Sequence, residues 1–203
     1  SVEDNMEPKL EWLQKRLDLD EVQLRKVVGG CTSVLSTSID ILESKLDWLQ
    51  TRLELDDAQL KKMVRTHPPL LSYSVEANME PKFEWLQKRL DLNNGEQLRK
   101  VARNVSVLRT SIDTLESKLA YLEREIGLSP AELRDWVVKN PILLGRSLAN
   151  SYRPRLEACR AAGVDAKCVL SYASRADEIF CEKIGLAPEA LAAARDRGPS
   201  GEA

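Results

Sequence analysis

A pair of adjacent cations recurs in this chain as Arg25-Lys26, Lys61-Lys62 and Arg99-Lys100. Arg65 and Arg103 follow four residues after Lys61 and Arg99, a spacing that puts them on the same face of a helix. Arg134 stands alone at the corresponding place further on. A row of Lys and Arg along a groove neutralises phosphates and releases counterions, which gives affinity for a nucleic-acid backbone without reading its sequence. Arg25, Lys26, Lys61, Lys62, Arg65, Arg99, Lys100, Arg103 and Arg134 are therefore the candidate nucleic-acid-binding residues. The same residues also fit a solvated face, which an amphipathic helix must carry opposite leucines such as Leu24 and Leu60.

Other reactive groupings are sparse. Lys15-Arg16, Arg52 and Lys88-Arg89 fall near the end of a predicted helix, where positive charge complements the helix dipole. Trp12, Trp48, Trp85 and Tyr121 could stack on bases, but Trp12, two residues from Leu10, sits at the flank of the apolar stripe, and packing between repeats suits them better. Glu3, Asp4 and Glu7, with Glu76, Glu80 and Glu84, read as a solvated outer face, and Asp18-Leu19-Asp20 as capping. His67 is the only histidine, and Cys31, Cys159, Cys168 and Cys181 have no CxxC spacing. They read as free thiols of a reducing compartment. With no glycine-rich phosphate loop, no nucleophile–histidine pair and no metal cluster in the sequence, the expectation is no catalysis, no cofactor, no metal and no small-molecule substrate.

The elements that position the cations come from a repeat. Asn5 to Leu19, NMEPKLEWLQKRLDL, returns at Asn78 to Leu92 as NMEPKFEWLQKRLDL. Paler copies occupy Leu42 to Leu55, Leu115 to Leu128 and Ser151 to Val164. Aligned on Trp12, Trp48, Trp85, Tyr121 and Ala158, the steps are 36, 37, 36 and 37 residues; aligned on Leu35, Leu71, Leu108, Leu144 and Phe180, they are 36, 37, 36 and 36. Two independent anchors give one period, the signature of a solenoid. The units fall near 1–35, 36–71, 72–108, 109–144 and 145–180, with a capping helix over 181–196 and a disordered tail over 197–203. Pro8, Pro81 and Pro154 mark alternate units, where Ser44 and Ser117 stand in the others. A duplicated pair of units explains this alternation.

Within a unit the spacing predicts three pieces. A first helix has Met6, Leu10, Leu13 and Leu17 on one face. A second helix turns Leu24, Val27 and Val28 inward, as do Leu60, Met63 and Val64 in the next unit. A third piece of one turn, Pro68-Pro69-Leu70-Leu71 or Pro141-Ile142-Leu143-Leu144, suits a 3₁₀ conformation. Proline removes a helical hydrogen bond. Either the first helix kinks at Pro81, or it starts there and the preceding residues form a separate turn; helical spacing of Val75, Met79 and Phe83 across Pro81 favours the kink. Neither helix buries its apolar face alone, so neighbouring units must supply the missing surface.

Composition sets bounds. Apolar residues make up 43% of the 203, enough for a core, while aromatics are 5% and alternating β-branched runs are absent, so the class is all-α. Net charge is −2 and pI about 5.7, far from the basic balance of a dedicated nucleic-acid binder, so contact with phosphates must come from a local stripe. No window reaches the ~18 apolar residues of a membrane helix, and no membrane insertion is expected.

The unit resembles the mTERF family, the mitochondrial transcription termination factors. The residues that carry this are Pro68-Pro69-Leu70-Leu71, Ser74-Val75-Glu76, Met79-Glu80-Pro81-Lys82-Phe83 with Leu86, and Ile126-Gly127-Leu128-Ser129 with Leu133, Val137 and Pro141-Ile142-Leu143-Leu144. Gly29-Gly30-Cys31-Thr32 and Asn104-Val105-Ser106 depart from it, lacking the proline of the third piece. The resemblance implies α–α–3₁₀ repeats in a curved, right-handed superhelix. It also implies a mitochondrion or chloroplast, and work on nucleic acid in transcription, RNA processing or ribosome assembly. The implied partner is double-stranded DNA or structured RNA. The near-neutral charge leaves a second expectation open, a scaffold binding protein subunits of an organellar assembly.

Overall fold

The computed structural model describes residues 2–196, as helices joined by turns, bends and short irregular links. The tail over 197–203, expected to be disordered, lies outside them. The chain resolves into two compact units, Ser1–Leu86 with Asn94–Arg109, and Gln87–Asn93 with Thr110–Ala203. Among the described residues no helix is long and apolar enough to cross a membrane.

In the first unit the order is α1 (Val2–Leu17), α2 (Glu21–Gly30), a 3₁₀ turn Thr32–Leu35, α3 (Ile39–Leu53), α4 (Asp57–Thr66) and a 3₁₀ turn Pro68–Ser72. A π turn Val75–Met79, α5 (Glu80–Arg89), α6 (Gly95–Ala102) and α7 (Val105–Arg109) follow; the last residues of α5 belong to the second unit. That unit continues with α8 (Ile112–Ile126), α9 (Pro130–Lys139), a 3₁₀ turn Pro141–Gly145 and a π turn Leu148–Tyr152. It closes with α10 (Arg153–Ala161), α11 (Cys168–Ser171), α12 (Asp177–Ile184) and α13 (Pro188–Asp196).

The α–α–3₁₀ order is set by local chemistry. The first helix stops where the chain enters the left-handed region, at Asp18 (φ 52°), Glu54 (φ 48°), Asp91 (φ 48°) and Gly127 (φ 72°). Two residues later Asp20, Asp56 and Ser129 cap the second helix in reciprocal capping boxes with Gln23, Gln59 and Glu132. Each of the three pieces gives its leucines to the core: Leu13, Leu17, Leu42, Leu46, Leu60, Leu71, Leu119, Leu133 and Leu144 are all at most 1% exposed.

Three local features differ from the sequence reading. At Pro81 the structure follows the second of the two readings rather than the favoured kink: a separate π turn, Val75–Met79, precedes α5, which starts at Glu80. The backbone widens by one residue, with Met79 N–H donating to Ser74 C=O and Glu80 N–H to Val75 C=O, a π turn that runs into α5. The same happens before Pro154, where Tyr152 N–H donates to Ser147 C=O. Widening suits a proline, which brings no N–H to the regular ladder. At Pro8, α1 stays α-helical throughout. The third piece of the third repeat is α-helical, because Asn104 takes over capping: its side-chain oxygen accepts from Ser106 N–H at 3.0 Å. Phe180, aligned with the closing leucines, lies within α12 and not in a short turn.

A row of buried lysines fastens each first helix to its own third piece. Lys9, Lys45, Lys82 and Lys118 are 9, 9, 4 and 5% exposed. Their Nζ atoms donate to the backbone oxygens of Leu35, Leu71, Leu108 and Leu144, each at 2.5 Å and each 26 residues ahead. The acceptors are the apolar residues that close each unit. A short helical turn leaves its last carbonyls without partners, and an ammonium inside the protein satisfies one of them at the cost of its own desolvation. Burial lowers the pKa of Lys45 and Lys82. In the fifth repeat Arg155 occupies this place and turns instead to Tyr172, Arg175 and Asp177.

The basic residues near the ends of the first helices do more than complement a dipole. Arg16 reaches Glu43 at 2.7 Å, Arg52 reaches Glu80 at 3.2 Å, and Arg89 reaches Glu116 at 2.9 Å and Glu123 at 2.7 Å. Each arginine thus binds the first helix of the following repeat. The next pair inverts the charges, with Glu125 accepting from Arg160 at 2.6 Å. Trp48 joins this packing: it stacks on Phe83 at 5.7 Å, and Arg52 lies 5.4 Å from the centre of the Phe83 ring.

Candidate nucleic-acid interface

The second helices carry eight of the nine candidate cations; the ninth, Arg103, caps the end of α6. Aligned on Leu24, Leu60, Leu98 and Leu133, the residue before the leucine is Gln23, Gln59, Gln97 and then Glu132. The two after it are Arg25-Lys26, Lys61-Lys62, Arg99-Lys100 and then Arg134-Asp135. Neighbours on a helix point about 100° apart, so the two members of each dibasic pair cannot share one environment.

The first members are committed to carboxylates. Arg25 pairs with Glu21 at 3.3 Å, Lys61 with Asp57 at 2.7 Å, and Arg99 with Glu54 at 3.0 Å. In the second compact unit Arg134 lies between Asp91 at 3.4 Å and Asp135 at 3.1 Å. Glu54 and Asp91 are the left-handed residues that end first helices, so the Arg99 and Arg134 pairs are one contact repeated. Arg103 also serves the fold. Its guanidinium donates to the C=O of Leu53 at 2.8 Å and of Glu54 at 2.7 Å, closing the end of α3.

The second members are different. Among the described residues the side chains of Lys26, Lys62, Arg65 and Lys100 form no hydrogen bond or ion pair. Lys26, Lys62 and Lys100 are exposed, and Arg65 is half-buried. Lys26, Lys62 and Arg65 line one groove of about 450 Å³ together with Gln23, Val27 and Thr66, between α2 and α4. Lys62 and Thr66 also face a second hollow of about 310 Å³, whose other walls are Leu55, Gln59, Met63, Arg103 and Val105. Three of the nine candidates therefore meet in one groove with Lys62 reaching into the next. Arg25, Lys61, Arg99 and Arg134 line neither hollow.

A groove lined by cations without anionic neighbours holds a positive potential that an ion-paired surface does not, and it suits a polyanion whose charges recur along its length. The sequence model of the mTERF family matches residues 1–180. The chain belongs to the mTERF family. No curated protein matches it. Against the family assignment, the division of each dibasic pair gains meaning. Arg99 and Arg134 tie neighbouring mTERF repeats together, Arg25 and Lys61 pair one turn back on their own helices, and Lys26 and Lys62 face the hollows.

At the fourth repeat the row changes sign. Glu132 accepts from Lys167 Nζ at 2.9 Å and from the backbone and hydroxyl of Ser129, and these bonds, Lys167 first, hold its carboxyl down at about 2. It is anionic at any physiological pH.

Sequence reasoning missed the lysine row and the Arg–Glu row. Both were in view as residues in phase with the repeat, Lys9, Lys45, Lys82 and Lys118 at steps of 36, 37 and 36. Among the described residues no group of His, Cys, Asp or Glu could hold a metal. The four cysteines are free thiols; Cys168 is half-exposed and the others are buried.

Proposed function

We propose that this mTERF protein is a non-enzymatic nucleic-acid-binding repeat protein of organellar gene expression. Its partner is double-stranded DNA or structured RNA in a mitochondrion or chloroplast, and its task lies in transcription, RNA processing or ribosome assembly. The observation that carries the reading is the groove of Lys26, Lys62 and Arg65, cations on neighbouring second helices with no carboxylate partner among the described residues, in a chain of net charge −2. In a chain so rich in ion pairs, unpaired cations in a row mark the place where an external anion supplies the counter-charge.

The test is a titration with duplex DNA and with structured RNA at low and at physiological salt. The double variant K26Q/K62Q binds roughly tenfold more weakly at about 0.1 M salt, since each phosphate contact removed forfeits its released counterions. Thermal melting of the same variant stays within about a degree of the parent, because exposed side chains without partners contribute little to stability. Equal affinity of variant and parent would remove the groove from the account.

A second reading has one observation behind it. Five of the nine candidate cations, Arg25, Lys61, Arg99, Arg103 and Arg134, are engaged within the protein itself. A scaffold subunit of an organellar assembly would need no more. Protein partners that survive nuclease treatment of a pull-down favour it.

A further inference from the structure

We infer that the nucleic-acid footprint is confined to the first compact unit and ends before the fourth repeat, where the residues that face the ligand change from Gln and Lys to Glu132 and Asp135. This rests on the function proposed above and specifies the length of strand that the protein holds.

The register is unambiguous in the aligned second helices. Gln23 and Lys26, Gln59 and Lys62, and Gln97 and Lys100 repeat one amide and one ammonium at fixed offsets from Leu24, Leu60 and Leu98. An amide and an ammonium both donate hydrogen bonds to phosphate oxygens; two carboxylates repel them. On α9 the same offsets carry Glu132, paired with Lys167, and Asp135; Arg134, at the offset of Arg25, is held between Asp91 and Asp135, and Lys139 lies outside these offsets. The offset filled by Arg65 and Arg103 holds Val138 on α9. Every position of the row that could meet a phosphate in the first three repeats is neutral, paired or negative in the fourth.

Dimensions follow. α2 packs against α4, and α4 shares a hollow with residues just beyond α6. At the 8–10 Å of packed helices for each step, three second helices in a row span about 16–20 Å between the outer axes. That is the rise of about five to six base pairs at 3.4 Å each. Four cations, Lys26, Lys62, Arg65 and Lys100, are available along it, which sets a salt slope of about −3.6 for log affinity against log salt on a duplex.

The experiment measures per-site affinity of the full chain for duplexes of about 6, 8, 12 and 20 base pairs across a salt series. Affinity per site levels off by about 8 base pairs, with a slope of about −3.6. R134Q/K139Q in the second unit leaves both unchanged, while K26Q/K62Q roughly halves the slope. K139Q alone, at an exposed residue, serves if the double variant does not fold. Affinity that climbs to about 20 base pairs, a slope steeper than about −6, or a slope reduced by K139Q overturns the boundary while leaving the function in place. Absence of binding at every length and at the lowest salt overturns the function, and the boundary with it.

Discussion

Arg155→Met lowers the unfolding free energy by about 3 kcal/mol, the low end of the 3–5 kcal/mol typical of breaking a buried ion pair. Arg155 is 2% exposed. Its Nε and Nη2 donate to the Asp177 carboxylate at 3.0 and 2.7 Å, Nη1 to Tyr172 C=O at 3.0 Å, and Nη2 to Arg175 C=O at 2.7 Å. The guanidinium also lies 4.6 Å from the centre of the Phe180 ring. Methionine keeps much of the bulk and none of the donors. Asp177 is 27% exposed and keeps its contact with Arg195, so solvent and a second cation absorb part of the loss. Burial pushes the Asp177 carboxyl up, but hydrogen bonds from Arg155 and Arg195 outweigh it and hold the pKa below the ordinary 3.8. A depressed carboxyl stabilises the fold above its unfolded pKa, and that contribution disappears as pH falls through the folded value. The parent therefore loses an increment below about pH 4 that Arg155→Met has already lost. Urea unfolding across that range measures it. Faster thiol labelling at Cys181, 1% exposed on α12, reports the local opening. A loss under about 1 kcal/mol would show that the fifth repeat closes on apolar contacts alone.

Lys82→Met costs about 2 kcal/mol, from the same logic at a regular repeat. The variant strips Leu108 C=O of its ammonium donor inside the protein, a loss of about 1–3 kcal/mol. Relief of the buried charge gives some of this back, which keeps the figure below that for Arg155. Burial lowers the Lys82 pKa, so the unfolded chain binds more protons between the folded value and the ordinary 10.5. Stability from this site therefore rises with pH over that alkaline window in the parent, and the variant lacks the rise. Lys88→Met, at an exposed position of the same helix, is the control and stays within about 0.5 kcal/mol. If both variants behave alike in chemical denaturation, the lysine row is incidental to the fold.

Much of the fold was legible because it is local. The steps between Trp12, Trp48, Trp85 and Tyr121 fixed the repeat, and Ser129-Pro130 with Glu132 announced the start of α9. Capping chemistry acts over three residues and is written in three residues. The lysine row was hidden by its residue type, since lysine belongs on surfaces by default and only its long apolar stem lets it lie inside. Its phase with the repeat was the available clue. The division of the dibasic pairs was only partly local: Arg25 with Glu21 and Lys61 with Asp57 are four residues apart, but the other pairs are not. Arg99 meets Glu54 and Arg134 meets Asp91, partners 45 and 43 residues away, and only the folded chain brings them together. The π turns before Pro81 and Pro154 escaped because proline states what it forbids, not how the backbone accommodates it. The candidate site was thus half legible. The sequence marks which helices carry the charge, and the structure marks which charges are free.

That division is the central claim, and a neighbouring pair on α6 tests it most directly. Salt slopes of duplex binding are measured for R99Q and K100Q side by side. K100Q should lower the slope by about 0.9, one phosphate contact, while R99Q keeps the slope of the parent because its charge already belongs to Glu54. A slope reduced by R99Q and untouched by K100Q would contradict the account.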